Sequence, residues 1–107
     1  MSKYGIRYTE TAVEDLDLIF DYIFADNRNA ALKMLEQLKT GIERLADIPL
    51  LGIVLPTNDL SLVKRGYRYL VINPYIVFYR ISEQEIWIGR VLHSRQDWLN
   101  TLFDMSF

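Results

Sequence analysis

GYRYLVINPYIVFYRISEQEIWIGRVLH, residues 66–93, decides the fold. Two turn signals interrupt it, Asn73-Pro74 and the polar run from Ser82 to Glu85. The pieces they separate, about 67–72, 75–81 and 86–93, are dominated by β-branched and aromatic residues, which suit a packed, pleated surface. Connections this short make the strands antiparallel neighbours. The stretch therefore predicts a three-stranded meander. Gly66, just ahead of it, marks a bulge or a close backbone approach.

Working outward toward the N-terminus, YGIRY (4–8) is a short strand candidate. Thr11 with Glu14 three residues on reads as a capping box, hydroxyl and carboxylate each satisfying an orphan backbone donor. Ala12, Leu16, Ile19, Phe20, Ile23 and Phe24 then recur at helical spacing, with Glu14, Asp15, Asp17 and Asp21 largely on the other side. That acidic side reads as a solvated face, because no histidine or second carboxylate cluster accompanies it. After a polar break at Asp26–Asn29, a second helix is expected from about Ala30 to Asp47, carried by Ala31, Leu35, Leu38, Ile42 and Leu45. So short a break predicts an antiparallel helical hairpin. Gly41 costs helix propensity and offers close packing in return.

Pro49 and Gly52 end the second helix, and residues 49–64 read as a linker. At the other end, DWLNTLF (97–103) places Trp98, Leu99, Leu102 and Phe103 on one helical stripe. The predicted order is β-α-α-β-β-β-α. This is an α+β domain, an antiparallel meander packed against a helical hairpin with a short C-terminal helix.

Composition bounds the chemistry. The chain has 107 residues, half of them apolar, enough for one self-sufficient domain spanning 1–107. No apolar run approaches a membrane span, and the first residues lack the apolar core of a secretion signal, so a cytoplasmic protein is expected. Zero cysteines exclude a disulfide framework, a thiol nucleophile and the common zinc sites. There is no phosphate-loop or dinucleotide glycine pattern. No metal and no cofactor are predicted.

The formal charge of −2 weighs against a dedicated nucleic-acid binder, yet it is unevenly spread. Residues 1–60 carry a net −4, whereas residues 61–107 carry +2 from Lys64, Arg65, Arg68, Arg80, Arg90 and Arg95. Arg65 and Arg68 flank Gly66 and Tyr67, and Arg80 and Arg90 alternate with large apolar neighbours inside strands. His93, the only histidine, stands where the last strand gives way to the final helix. Three roles are open to it. It is a proton-transfer group with a pKa near working pH, it contacts a target or partner, or it closes the strand by hydrogen-bonding the backbone or Asp97. The last is the reading adopted. Tyr67, Tyr69, Tyr75 and Tyr79 are read as packing rather than base stacking.

Three motifs in order, Arg-Gly-Tyr-Arg at 65–68, Val-Phe-Tyr-Arg at 77–80 and Arg-Val-Leu-His-x-Arg-x-Asp at 90–97, lie behind an amphipathic helical hairpin. In this the chain resembles the RelE/ParE superfamily of bacterial toxins over nearly its whole length. The resemblance implies the toxin half of a type II toxin–antitoxin module, with roles in growth inhibition and plasmid stabilisation. It also implies a cognate antitoxin encoded beside it, whose C-terminal part wraps the toxin as extended chain and helix. Operator DNA would be reached only through that antitoxin.

The superfamily holds two chemistries. RelE-like members cut mRNA on the ribosome and need cations and proton-transfer groups around the scissile phosphate. ParE-like members share the fold but act on DNA gyrase. This chain is slightly acidic, has Ile76 where several nucleases carry an arginine, and continues for fourteen residues past His93. These features and the ending RVLHSRQDW favour the ParE-like branch. Arg65, Tyr67, Arg68, Arg80, Arg90, Arg95 and Trp98 are then the expected contacts to target or antitoxin. The alternative is a ribosome-dependent mRNA endonuclease built from Arg65, Arg68, His93 and Arg95. A third reading is a relic that binds antitoxin without toxicity.

Overall fold

The computed structural model describes residues 3–55 and 66–96. Its elements are β1 (Gly5–Tyr8), α1 (Glu10–Phe24), α2 (Arg28–Glu43), two 3-10 turns at Arg44–Ala46 and Pro49–Leu51, β2 (Ile53–Val54), β3 (Tyr67–Ile72), β4 (Tyr75–Ser82) and β5 (Glu85–His93). The expected C-terminal helix, with Asp97, Trp98, Leu99, Leu102 and Phe103, lies outside the described residues, as does Arg65.

The meander stands as the sequence predicts it. β3, β4 and β5 pair antiparallel, with Tyr67 opposite Arg80 and Ile72 opposite Tyr75. The sheet extends beyond the meander at both edges, in the order β1-β5-β4-β3-β2. β1 joins β5 in parallel, so the sheet is mixed rather than purely antiparallel. Local periodicity carries no trace of that pairing, which joins opposite ends of the chain. The expected linker also contributes structure, since Ile53 and Val54 pair with Tyr69 and Arg68.

The N-cap of α1 is Thr9, not Thr11. Its hydroxyl accepts the Ala12 amide at 3.1 Å and donates to the Gly89 carbonyl at 3.0 Å. That second bond fixes the cap from outside the helix, and it puts Ala12 where a capping box needs a carboxylate. Asn27 caps α2 through the Ala30 amide at 3.0 Å. This helix ends at Glu43 and tightens into the 3-10 turn, short of the expected Asp47.

The hairpin buries its apolar side on one sheet face, where Ala12, Leu38, Ile42 and Leu45 meet Tyr75, Val77, Tyr79, Ile86, Ile88 and Val91. Leu55, Tyr67, Ile76, Phe78 and Leu92 form a second cluster. Strand β4 is buried from Tyr75 through Tyr79, which explains its unbroken apolar run. A Cβ on Gly41 would stand 2.5 Å from Ile72 Cδ1, so the glycine does permit close packing of α2 on β3. Gly66 combines a φ of 83° with an approach that would put a Cβ 2.7 Å from the Ile81 carbonyl oxygen.

Candidate functional site

The motif RVLHSRQ begins beside an irregularity. Phe78 faces Arg90 and Tyr79 faces Ile88, which leaves Gly89 as an extra residue in β5. Such a bulge bends a strand and re-aims its side chains. Here Arg90 meets Asp15 of α1, with Nε to Oδ2 at 2.7 Å and Nη2 to Oδ1 at 3.0 Å. The Val91 amide donates to the same carboxylate at 2.9 Å. Asp15 is therefore a buried anchor, not part of a solvated acidic face. Its spacing held the signal, for it stands three residues after Ala12 and four before Ile19, inside the apolar stripe.

Above this pair a cleft of about 620 Å³ opens between α1 and the ends of β4 and β5. Leu18, Ile19 and Tyr22 form one wall, and Tyr75, Val91 and His93 the other. Leu18 and Tyr22 are 67% and 82% exposed, so the rim is apolar and open to solvent. Helical periodicity singles out neither residue, because neither falls on the stripe that faces the sheet. The rings of Tyr75 and His93 meet edge to face at 5.4 Å. Burial raises the pKa of the Tyr75 hydroxyl above its usual value, and the Tyr22 hydroxyl adds to the effect.

His93 closes β5. Its amide donates to Gln96 Oε1 at 2.8 Å, and its Nδ1 accepts the Arg95 amide at 3.1 Å. A neutral imidazole that accepts at Nδ1 carries its proton on Nε2. The ring is suited to holding the turn after β5 and to presenting an N–H donor in the cleft.

The remaining candidate residues do not gather here. Arg68 Nη1 donates to the Gly52 carbonyl at 2.7 Å. Tyr75 lies opposite both Ile72 and His93, so Arg68, four residues before Ile72, sits roughly 13 Å along the strands and about 10 Å across them from His93. Arg80 is half-buried on β4 between Tyr67 and Trp87. Tyr67 is buried in the second cluster, and Arg95 is exposed beside His93. Arg65 and Trp98 lie outside the described residues. Ile76 is buried at 6% exposure, an apolar core member where a phosphate-binding arginine would need access.

A hydroxyl organises the opposite end of the sheet. Tyr79 Oη donates to the Pro49 carbonyl at 2.8 Å and accepts the Gly52 amide at 2.9 Å. Burial raises its pKa, while the Gly52 amide and the Arg68 guanidinium pull the other way without overcoming it. Among the described residues, no group of His, Asp or Glu side chains is placed to hold a metal ion. Nor is any described helix long and apolar enough to cross a membrane.

Comparison with known proteins places this geometry. The family model for the ParE toxin of the type II toxin–antitoxin system parDE matches residues 6–98. A Sinorhizobium fredii protein named "Putative toxin Y4kP" is 33% identical over 105 residues, spanning 95% of this chain and 100% of that one. Among solved structures, the chromosomal ParDE system of P. aeruginosa superposes with a TM-score of 0.69 at 23% identity, covering 85% of this chain and 96% of that one. The RelBE2 toxin–antitoxin complex of Mycobacterium tuberculosis gives 0.55 at 28% identity, covering 85% and 98%.

Proposed function

The chain belongs to the ParE toxin family of type II toxin–antitoxin systems, and from that premise we propose that it acts in the cytoplasm by binding DNA gyrase and is neutralised by a cognate antitoxin. One observation carries the choice of binding over catalysis. His93, the only imidazole, spends Nδ1 on the Arg95 amide and keeps its proton on Nε2. A ribonuclease needs a group that takes the 2′-hydroxyl proton and another that protonates the leaving 5′-oxygen. The engaged His93, the distance of Arg68 and the neutralisation of Arg90 by Asp15 all support a protein that recognises a partner without cutting RNA.

The exposed apolar rim of Leu18 and Tyr22 is the target contact under this reading, with exposed Arg95 two residues past His93 of the facing wall. Buried aromatic and aliphatic anchors supply most of the energy in such interfaces, and a nearby arginine adds orientation. Arg65, Tyr67, Arg68, Arg80, Arg90 and Trp98 then serve by shaping the surface or by contacting the antitoxin.

The test is inducible expression without antitoxin, with gyrase-dependent DNA breaks and mRNA 5′ ends followed in the same cells. Breaks with intact mRNA support the reading. New 5′ ends at the ribosomal decoding site support the endonuclease alternative, which the likeness to the RelBE2 complex keeps in view. Growth without either signature identifies an antitoxin-binding relic.

A further inference from the structure

Glu14, Asp17, Leu18, Asp21 and Tyr22 recur along α1 at helical spacing, so they share one side of the helix, and all of them are exposed. Among the described residues, no ion pair engages Glu14, Asp17 or Asp21. A merely solvated helix face ordinarily mixes both signs of charge. This strip carries only carboxylates and apolar side chains. The cleft beside it supplies a second, independent sign of a ligand. Tyr75 lines that cleft and is only 7% exposed, yet its hydroxyl makes no hydrogen bond among the described residues. Among those residues, no buried side-chain nitrogen or oxygen is both sealed from solvent and unpaired. The hydroxyl therefore opens into the cleft, where burial first and the Tyr22 hydroxyl second favour its protonated form.

The chemistry of the space specifies its occupant. Leu18 and Ile19 give it an apolar wall, and Tyr22 and Tyr75 add ring faces and hydroxyl oxygens. Arg90, the cation that lines it, is already neutralised by Asp15. With exposed Arg95 past the facing wall counted in, three carboxylates on the strip stand against one guanidinium. That set suits a lysine or arginine side chain, whose apolar stem packs while its charged end meets rings, hydroxyls and carboxylates. An acidic segment would be repelled at the same mouth. We infer that the cleft and the acidic strip of α1 form one docking surface for a basic segment of the target, which seats a lysine or arginine side chain between Tyr22 and Tyr75. This inference rests on the gyrase reading above. Such a target fits the chemistry, because an enzyme that holds DNA presents lysine and arginine to the phosphates.

Equilibrium binding of the purified protein to DNA gyrase tests it, measured at about 50 mM and about 300 mM salt. Binding by the parent weakens by about tenfold or more across that range. Glu14→Gln, Asp17→Asn and Asp21→Asn combined weaken low-salt binding by about tenfold and remove most of the salt dependence. Glu36→Gln, Glu43→Gln and Glu83→Gln combined, an equal loss of charge at other exposed positions, bind within about twofold of the parent. Tyr75→Phe keeps the ring and melts with the parent, because the hydroxyl holds nothing within the fold, yet it binds at least about threefold more weakly. Parental binding by the strip variant, or equal weakening by both charge sets, overturns the docking surface and leaves the gyrase reading standing. Binding that salt does not change has the same meaning. Parental binding by Tyr75→Phe removes the seated cation and overturns the inference. If the parent protein does not bind gyrase at either salt concentration, the gyrase reading and the inference fall together.

Discussion

Asp15 of α1 holds Arg90 of β5 through two nitrogen–oxygen contacts of 2.7 and 3.0 Å, and takes the Val91 amide with the same carboxylate. Their side chains are 10% and 18% exposed, so solvent screens the pair poorly. The contact pins the first helix to the strand that carries the family motif, immediately after its bulge. Arg90 is conspicuous in sequence as a cation, yet its charge is spent inside the protein.

Removing one partner leaves the other charge buried without its counter-charge, which costs about 3–5 kcal/mol. Asp15→Ala and Arg90→Ala are each expected to destabilise on that scale in urea unfolding. The double variant should lose clearly less than the two losses combined, since neither half of the pair is left behind. An Arg90→Ala protein as stable as the parent would mean that Arg90 is not anchored this way.

His93 offers a sharper distinction between structure and catalysis. His93→Ala should cost about 1 kcal/mol through the lost Arg95 bond. His93→Asn keeps an acceptor near the position of Nδ1 and should recover part of that loss. Growth inhibition on induction should survive in His93→Asn. Loss of toxicity in that variant, at parental stability, would restore a proton-transfer role.

Tyr79→Phe removes the hydroxyl that joins the Pro49–Gly52 turn to the sheet, and it strands the Gly52 amide. The expected cost is about 1–3 kcal/mol. The same hydroxyl sets an alkaline limit. Its pKa is raised in the folded state, as are those of Tyr8 and Tyr75, so the folded chain holds these protons more tightly than the unfolded one. The resulting stability is complete below pH 10.0, the ordinary tyrosine value, and is lost as pH rises from there through the folded-state values. Tyr79→Phe should flatten that decline, measured as melting temperature against pH between neutrality and strong alkali.

Gly66→Ala tests the entry to β3. A non-glycine residue at a φ of 83° is strained, and the Cβ would press on the Ile81 carbonyl at 2.7 Å. A loss above about 1 kcal/mol is expected, together with faster exchange of the Ile81 amide, which donates to the Gly66 carbonyl at 3.0 Å. An unchanged melting temperature would contradict the geometry.

Much of this fold was legible because its signals are local. The Asn73-Pro74 and Ser82–Glu85 turns fix three strands, and their apolar runs fall within a residue of the observed β3, β4 and β5. The polar break near Asn27 fixes the hairpin. What escaped is non-local. The parallel pairing of β1 with β5 leaves no periodic trace, and Thr9 was hidden as a cap because the Gly89 carbonyl, 80 residues away, helps select it. The candidate site follows the same division. His93 was visible as the sole histidine, and its backbone contact was within reach of inspection. Asp15 was misplaced because a carboxylate in an acidic helix looks solvated until its partner on a distant strand is known. The Leu18–Tyr22 rim was missed because exposure of an apolar residue depends on what the fold leaves uncovered.

Purified protein added to DNA gyrase and supercoiled plasmid, with translating ribosomes and labelled mRNA run in parallel, tests most directly the proposal that the chain recognises gyrase instead of cutting RNA. The account predicts accumulated gyrase-linked double-strand breaks, relieved by antitoxin and retained by His93→Asn, with the mRNA intact. Cleaved mRNA in the ribosome reaction, with gyrase unaffected, would contradict it.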